Sequence, residues 1–311
     1  MLSICIPVYN YKIEGLLIGL NLLVEKLNIP LEIIIVDDCS GKNINDENKK
    51  IAGVYGYRFI ELKKNIGRSA IRNFLGREAI YSNLLFLDCD SEIISNNFLN
   101  NYLPYLDKKV VVYGGRIYQA KPPERKYLLH WKYGIKREVQ PVSVRNIFPT
   151  RYFNSNNFLV NKEILLKFSF NEKLREYGHE DTFFAMELYQ NEIPIVHIDN
   201  PVLHAGLETN ENFLLKTKAG IKNLCIIENE LNDNNVLQMH VNLLKAFSKI
   251  KRLNLISVIK FFWSVTRPIL ILLINKFYLM KALDVYKIGF LCFIYKKSTA
   301  QPNDASSLKI L

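Results

Sequence analysis

An α/β fold with a mixed, mostly parallel sheet flanked by helices, followed by a C-terminal helical extension, is what this sequence predicts. Three observations carry that reading. Short apolar runs alternate with helical patterns through the first two hundred residues, as they do when parallel strands are joined by crossover helices. Polar residues with chemical capability cluster where those runs end. The last third is apolar and basic together: from Asn212 onward there are 15 Lys or Arg against 5 Asp or Glu. With a net charge of +11 over 311 residues, the part before it is nearly neutral.

The strand patterns come first. "LSICIPV" (2–8), "LEIIIVD" (31–37), "YRFIEL" (57–62), "NLLFLD" (83–88) and "KVVVYGG" (109–115) are β-branched or aromatic and bounded by polar or glycine residues. Helical patterns lie between them at about 14–27, 68–81 and 95–106. A second part, 116–210, reads as helix, strand, helix and strand: "RKYLLHWKYGIKRE", "FNSNNFLV", "YGHEDTFFAMELYQN" and "IPIVHIDNPVLHAG". Residues 1–115 and 116–210 form the two halves of one domain, 211–297 a basic amphipathic helical region, and 298–311 a polar tail.

Composition narrows the class. Hydrophobic residues make up 49% and charged residues 23%, an ordinary globular balance that excludes wholesale disorder. The five cysteines are scattered without paired spacing, which predicts a reduced, intracellular protein without structural zinc. "MLSICIPVYNYK" lacks the basic start of a signal peptide.

In the helical region, Lys260, Arg267, Lys276, Lys281 and Lys287 interrupt the apolar run and Pro268 breaks its helix pattern, which argues against a membrane span. Basic residues interleaved with Phe, Trp, Leu and Ile suit helices lying in an anionic membrane interface, or a helical pair packed on the domain with its lysine stems extended. Charge confined to so apolar an end favours lipid head groups over nucleic acid.

In parallel-rich sheets ligands bind beyond the carboxyl ends of the strands. There stand Pro7, Val8, Tyr9 and Asn10; Asp37 and Asp38; Asn65 and Gly67; and the pair Asp88 and Asp90 in "LLFLDCD". Residues two apart on a strand share a face, so Asp88 and Asp90 converge and repel unless a cation neutralises them. Hard divalent cations take oxygen ligands from one or two carboxylates.

"IPVYN", "VDDCS", "NIGRSAIRN", "LDCD" and a later "GHED", in this order on alternating strands, resemble the family 2 glycosyltransferases with a Rossmann-like GT-A fold, over residues 1–210. The resemblance implies an inverting, metal-dependent hexosyl transfer from a nucleotide-diphosphate sugar, UDP-linked by first choice, to a hydroxyl of a glycan or lipid-linked saccharide. Cell-surface polysaccharide synthesis at the inner face of the cytoplasmic membrane is the implied setting.

By the same resemblance Asp90 is the direct ligand of Mn²⁺ or Mg²⁺. Asp88 touches the ribose or binds the metal through water, and His204 is a further ligand in some relatives. Asp38 reads a uracil-type base while Asp37 fixes the turn, or the two exchange roles. Pro7, Val8 and Tyr9 line the nucleotide pocket with Asn65 and Gly67, and Arg72 faces the diphosphate or the metal-site aspartate. Asp181 is the general base, with Glu180 orienting the acceptor or Asp181 itself, and Gly178 admits the acceptor closely. Where the family commonly has Ala before that arginine, this chain has Ile71.

Arg68, four residues before Arg72, reads as part of a solvated basic face. His130 and Trp131 would face the acceptor, and Asn156 and Asn157 would lie beside the sugar. Two other classes compete. "LLFLDCD" also resembles the Asp-x-Asp of haloacid-dehalogenase-type phosphatases, though that motif normally opens the chain. A non-catalytic, membrane-bound relative of the transferases is the other.

Overall fold

The computed structural model describes residues 1–174, 177–230, 237–238 and 240–295, so the predicted polar tail lies outside the described residues. A central seven-stranded sheet carries the fold. Its strands are β1 (Leu2–Val8), β2 (Leu31–Asp37), β3 (Arg58–Glu61), β4 (Asn83–Leu87), β6 (Val111–Tyr113), β8 (Asn157–Asn161) and β9 (Ile195–His197). They lie in the order β3-β2-β1-β4-β8-β6-β9. The first four run parallel, β8 is antiparallel to both neighbours, and β6 is parallel to β9. A three-stranded sheet, β5 (Ser91–Glu92), β10 (Val202–His204) and β7 (Arg116–Ile117), stands beside it with β10 in the middle.

The central strands read as continuous apolar runs because helices cover both faces. One face packs Leu16, Leu17 and Leu20 of α1 (Glu14–Val24) onto Ile4, Ile6 and Ile35. The other packs Ile71 and Leu75 of α3 (Arg68–Glu78), and Phe184 and Leu188 of α8 (Glu180–Gln190), onto Ile34, Phe86 and Phe158.

The sequence pattern misses α2 (Lys42–Val54), whose buried side chains are Asn45, Asn48 and Ala52. Asn48 accepts from the Ile13 N–H at 3.1 Å and donates to the Tyr11 carbonyl at 2.8 Å, so this helix docks by amide hydrogen bonds and shows no apolar period. The helix expected at 95–106 shortens to a 3₁₀ helix, Asn100–Tyr105, with Pro104 inside it. The last predicted strand is two, β9 and β10, separated at Asp199–Pro201.

Between β7 and β8 run the short helices α4 (Leu128–Tyr133), α5 (Val142–Ile147) and α6 (Pro149–Tyr152), with a π-helical turn at Gly134–Glu138. Helix α7 (Lys162–Lys167) follows β8. After β10 come α9 (Asn210–Glu230), α10 (Asn242–Arg252), α11 (Ile256–Phe277) and α12 (Met280–Ile294). These share one apolar cluster with Leu129, Leu174 and Met186 of the preceding part.

Contrary to expectation, α11 runs unbroken through Pro268. Pro268 removes one backbone donor, but Trp263, Leu270 and Ile274 on either side of it are buried, and that packing holds the helix together. The closest approach is at Gly289, where a Cβ would stand 2.0 Å from the Trp263 Cδ1. Gly289→Ala should therefore push α11 from α12 and destabilise the chain by about 1–3 kcal/mol. An unchanged urea midpoint would show that the two helices do not meet there.

Candidate active site

Strand β4 ends at Leu87, so Asp88 and Asp90 stand on the turn beyond it rather than on one strand face. The Asp88 N–H donates to the Asn156 carbonyl at 2.9 Å, and the Ser91 N–H donates back to the Asp88 carbonyl at 3.1 Å. Two arginines of α3 meet the Asp88 carboxylate. The Arg72 Nη2 lies 2.5 Å from Oδ1 and the Arg68 Nη2 lies 3.5 Å from Oδ2. Arg72 is buried, its guanidinium lies over Phe170, and Nη1 donates to the Arg68 carbonyl.

Arg68 is partly exposed but paired on both sides. Its Nε donates to the Glu180 Oε1 at 2.7 Å, so one side chain ties the Asp88 turn to the start of α8. Sequence reasoning undervalued it because a surface arginine and a bridging one look alike until α8 is in place.

The start of α8 is a constrained turn. Gly178 and His179 both adopt positive φ, +102° and +69°, the second unusual for a residue with a side chain. Behind it, a Cβ on Gly178 would press against the Gly220 Cα of α9, and Asn223 donates to the Gly178 carbonyl. Glu180 accepts from the Gly178 N–H with its second oxygen. Burial pushes Glu180 up, but Arg68 and Arg72 outweigh that and hold its carboxyl below the ordinary value. Asp181 accepts from the Thr182 N–H at 2.7 Å. Burial first and the neighbouring Glu180 charge second push the Asp181 carboxyl up to about 6. Adjacent acids are thus driven apart, one kept ionised and one made basic.

Asp90 is set differently. Its buried Oδ1 takes no hydrogen bond, and the nearest ring nitrogen is the His204 Nδ1 at 3.5 Å. A Cβ at Gly206 would stand 2.3 Å from the Asp90 Oδ2, so only glycine permits this approach of the β10 end. Burial acts to raise Asp90, but His204, Arg116 and Arg68 prevail and hold it at about 2. An ionised carboxylate with an orphaned oxygen, beside an imidazole, is a donor set that fits a divalent cation. Among the described residues no three His, Cys, Asp or Glu side chains come together for a metal, so its other ligands would come from substrate and water. Asp88 has both oxygens engaged by guanidinium groups.

Beyond the end of β2, both Asp38 oxygens accept backbone amides, from Ile66 at 2.7 Å and Gly67 at 3.0 Å. Burial raises Asp38 despite those bonds. Asn65 donates to the Asp38 carbonyl, and Gly67 takes φ +86° to start α3. Asp37 accepts the Ser40 N–H with one oxygen, and its other oxygen is buried without a partner. Pro7 is half-buried and Tyr9 is exposed. The Val8 side chain is in the core, and its carbonyl accepts the Asp38 N–H.

Of the residues singled out for the acceptor, His130, Asn156 and Asn157 are buried in hydrogen-bond networks and Trp131 is partly exposed. His130 is buried, stacks on Phe213 and accepts the Glu208 N–H; Trp131 donates to the Gln119 carbonyl. Asn157 is spent on Tyr102, Gly115 and Asn200. Asn156 accepts from Arg116 at 3.4 Å. The residue missed altogether is Arg116. It pairs with Glu138 at 3.1 Å and its charge is felt by Asp90 and Asp181. Arg116, Glu138, Tyr113, Arg145 and Asp199 border a cavity of about 510 Å³. Only the Gly-Gly pair before Arg116 hinted that this short strand turns toward the site.

The Asp181 shift fixes the sign of a pH effect. A carboxyl raised in the folded state contributes stability that is complete below its unfolded value near 3.8 and lost as pH rises through about 6. The melting temperature of Asp181→Asn should therefore gain on the wild type as pH rises from about 4 to about 7. A difference that does not change with pH would show that Asp181 titrates as an ordinary carboxyl.

Comparison with known proteins follows from this geometry. Residues 3–174 match the sequence profile described as Glycosyl transferase family 2. No curated protein matches the chain by sequence. Among solved structures, the mannosyltransferase PcManGT from Pyrobaculum calidifontis, in complex with GDP-Man and Mn²⁺, superposes with a TM-score of 0.57 at 12% identity, covering 93% of this chain and 85% of that one. S. aureus TarS 1-349 in complex with UDP-GlcNAc gives 0.50 at 18% identity, covering 93% and 90%. The chain spans 41% of the longer S. aureus TarS chain.

Proposed function

The chain belongs to glycosyl transferase family 2, and from that premise we propose that it is an inverting transferase moving a sugar from a nucleotide diphosphate to a hydroxyl of a glycan or lipid-linked saccharide. The observation that carries this reading is the linkage Asp88–Arg68–Glu180, which joins the carboxyl end of β4 to the turn presenting Asp181. A phosphatase would need Asp88 free as a nucleophile, whereas here two arginines hold it. A decayed scaffold would have no reason to keep Asp181 basic beside an ionised Glu180.

In this mechanism Asp181 removes the proton from the acceptor hydroxyl as its oxygen attacks the anomeric carbon. The bond from that carbon to the diphosphate breaks, and one displacement inverts the centre. Asp181 stays basic because it is desolvated beside Glu180. Glu180 stays ionised on Arg68 and keeps the turn in place.

Asp90 and His204 would hold Mn²⁺ or Mg²⁺ together with the donor's diphosphate, and Asp88, held by both arginines, would meet the ribose or the metal's water only with its remaining lone pairs. Such a cation supplies positive charge to the departing nucleoside diphosphate. Asp38 reads the base with the lone pairs that Ile66 and Gly67 leave over. Pro7, Val8 and Tyr9 wall the nucleotide, with Asn65, Gly67 and Arg72 beneath it. UDP is the favoured donor nucleotide. TarS solved with UDP-GlcNAc and the mannosyltransferase solved with GDP-Man and Mn²⁺ motivate the choice of probes. Cell-surface polysaccharide synthesis, at the cytoplasmic face where lipid-linked acceptors reside, is the setting this reading implies.

Thermal unfolding with UDP, GDP, dTDP and CDP, each with and without Mn²⁺, tests the reading. Ligand at a hundred times its dissociation constant adds about 2.7 kcal/mol, a rise of roughly several degrees for a chain this size. UDP with Mn²⁺ should give that rise, and Asp90→Ala should lose the part that needs Mn²⁺. Asp181→Asn should keep the nucleotide shift and stop transfer. A wild-type transfer rate in Asp181→Asn would remove Asp181 from its role as base.

A further inference from the structure

Helix α11 has one side in the core and the other unpartnered. Trp263, Leu270 and Ile274 are buried on the inner side, where Trp263 packs on Tyr286 and Phe290 of α12. On the outer side Val258, Phe261, Phe262, Val265, Ile269 and Leu272 are 47–66% exposed. Their spacing of three and four residues puts all six on one helical stripe. Exposed apolar residues continue at both ends, Leu253 and Leu255 in the turn after α10, Phe277 at the end of α11 and Leu279 in the turn before α12. So continuous an exposed apolar surface marks a contact with something.

We propose that this face docks on an anionic lipid bilayer, with α11 lying in the plane of the interface. Charge selects the occupant. Between Asn242 and Ile294 the chain carries nine Lys or Arg and one acid, Asp284. That acid is already paired with Arg137 at 2.6 Å. Lys249, Lys251 and Arg252 immediately precede the exposed Leu253 and Leu255, the pairing of cation and apolar side chain that binds anionic head groups and acyl chains together.

A second copy of this chain would bring basic rim against basic rim with no acids to compensate. A transmembrane course fails on other grounds, although α11 has the length and composition for one. Lys260, Arg267 and Lys276 recur along it, and its inner side is taken by α12. Lys260 and Arg267 lie over the rings of Phe293 and Trp263, leaving their heads toward the protein side of the helix.

Docking would also orient the transfer site. Besides Arg137 with Asp284, the Tyr278 hydroxyl donates to the Arg125 carbonyl at 3.2 Å and the Lys287 ammonium donates to the Tyr133 hydroxyl at 3.2 Å. The segment 125–138 so held ends in Glu138, the partner of Arg116. The inference does not rest on the transfer chemistry, and its test needs no substrate.

The full chain is sedimented with vesicles of equal parts phosphatidylglycerol and phosphatidylcholine, and with vesicles of phosphatidylcholine alone. The wild type should sediment with the first and much less with the second, and added salt should weaken the binding. The double change Phe261→Ser, Phe262→Ser should lower the partition coefficient about tenfold or more, since both rings are exposed and their loss leaves the core intact. Ile80→Ser, at an equally exposed site on the nucleotide half, should bind as the wild type does. A wild-type chain that stays in the supernatant, or a double variant that sediments like the wild type, overturns the proposal. So does a soluble dimer that the double change dissociates without any vesicle binding, since the occupant is then a second copy.

Discussion

Two guanidinium groups four residues apart on α3 hold the site together. Arg72, buried under Phe170, neutralises Asp88, and Arg68 spans from the same carboxylate to Glu180. Removing Arg72, the buried partner of Asp88, costs about 3–5 kcal/mol, because the carboxylate is left uncompensated, and the partly exposed Arg68 contributes less. The pairing therefore constrains three elements at once: the register of α3 over the sheet, the turn after β4, and the approach of α8. Gly67 sits at the head of that arrangement, tied by its N–H to Asp38, so the nucleotide-side loop and the arginine helix begin at one point.

The C-terminal helices participate in this through the back of the α8 turn. Gly178, at positive φ, backs onto Gly220 of α9 so closely that a Cβ on Gly178 would stand 3.0 Å from the Gly220 Cα, and Asn223 holds the Gly178 carbonyl. Helix α9 in turn belongs to the cluster that includes α11 and α12. A continuous run of packed side chains thus joins the inner face of α11 to the turn that presents Glu180 and Asp181. The part of the chain richest in positive charge is structurally continuous with the part that sets the acidity of those two carboxyls.

Much of the fold was legible because buried parallel strands announce themselves as unbroken β-branched runs, and because Asp38, Asp88, Asp90 and Asp181 stand at their ends or at a helix start. What could not be read has specific causes. Helix α2 docks through Asn48 amides and so lacks apolar periodicity. Helix α11 survives Pro268 because tertiary packing outweighs one lost hydrogen bond. Arg68 and Arg116 gain meaning only from partners 112 and 22 residues away in sequence, Glu180 and Glu138. Gly206 is silent in the sequence, since its importance is the space it leaves for Asp90.

Why two carboxylates should follow a buried strand at such close spacing has an asymmetric answer. The repulsion expected between Asp88 and Asp90 is relieved within the chain, by direct arginine pairs on Asp88 and by the more distant charges of His204, Arg116 and Arg68 on Asp90. Arg72 and Arg68 are permanent counter-charges for Asp88, and neither can lose its proton near neutrality. Asp90 has an imidazole at 3.5 Å and an oxygen with no hydrogen bond. A fixed cation on both carboxylates would make a stable but inert turn. With both arginines on Asp88, the turn is held and Asp90 keeps an oxygen with no hydrogen bond, the position that the proposed transfer would give to an exchangeable cation. The arginines thus give the turn its shape and leave Asp90 for ligand chemistry.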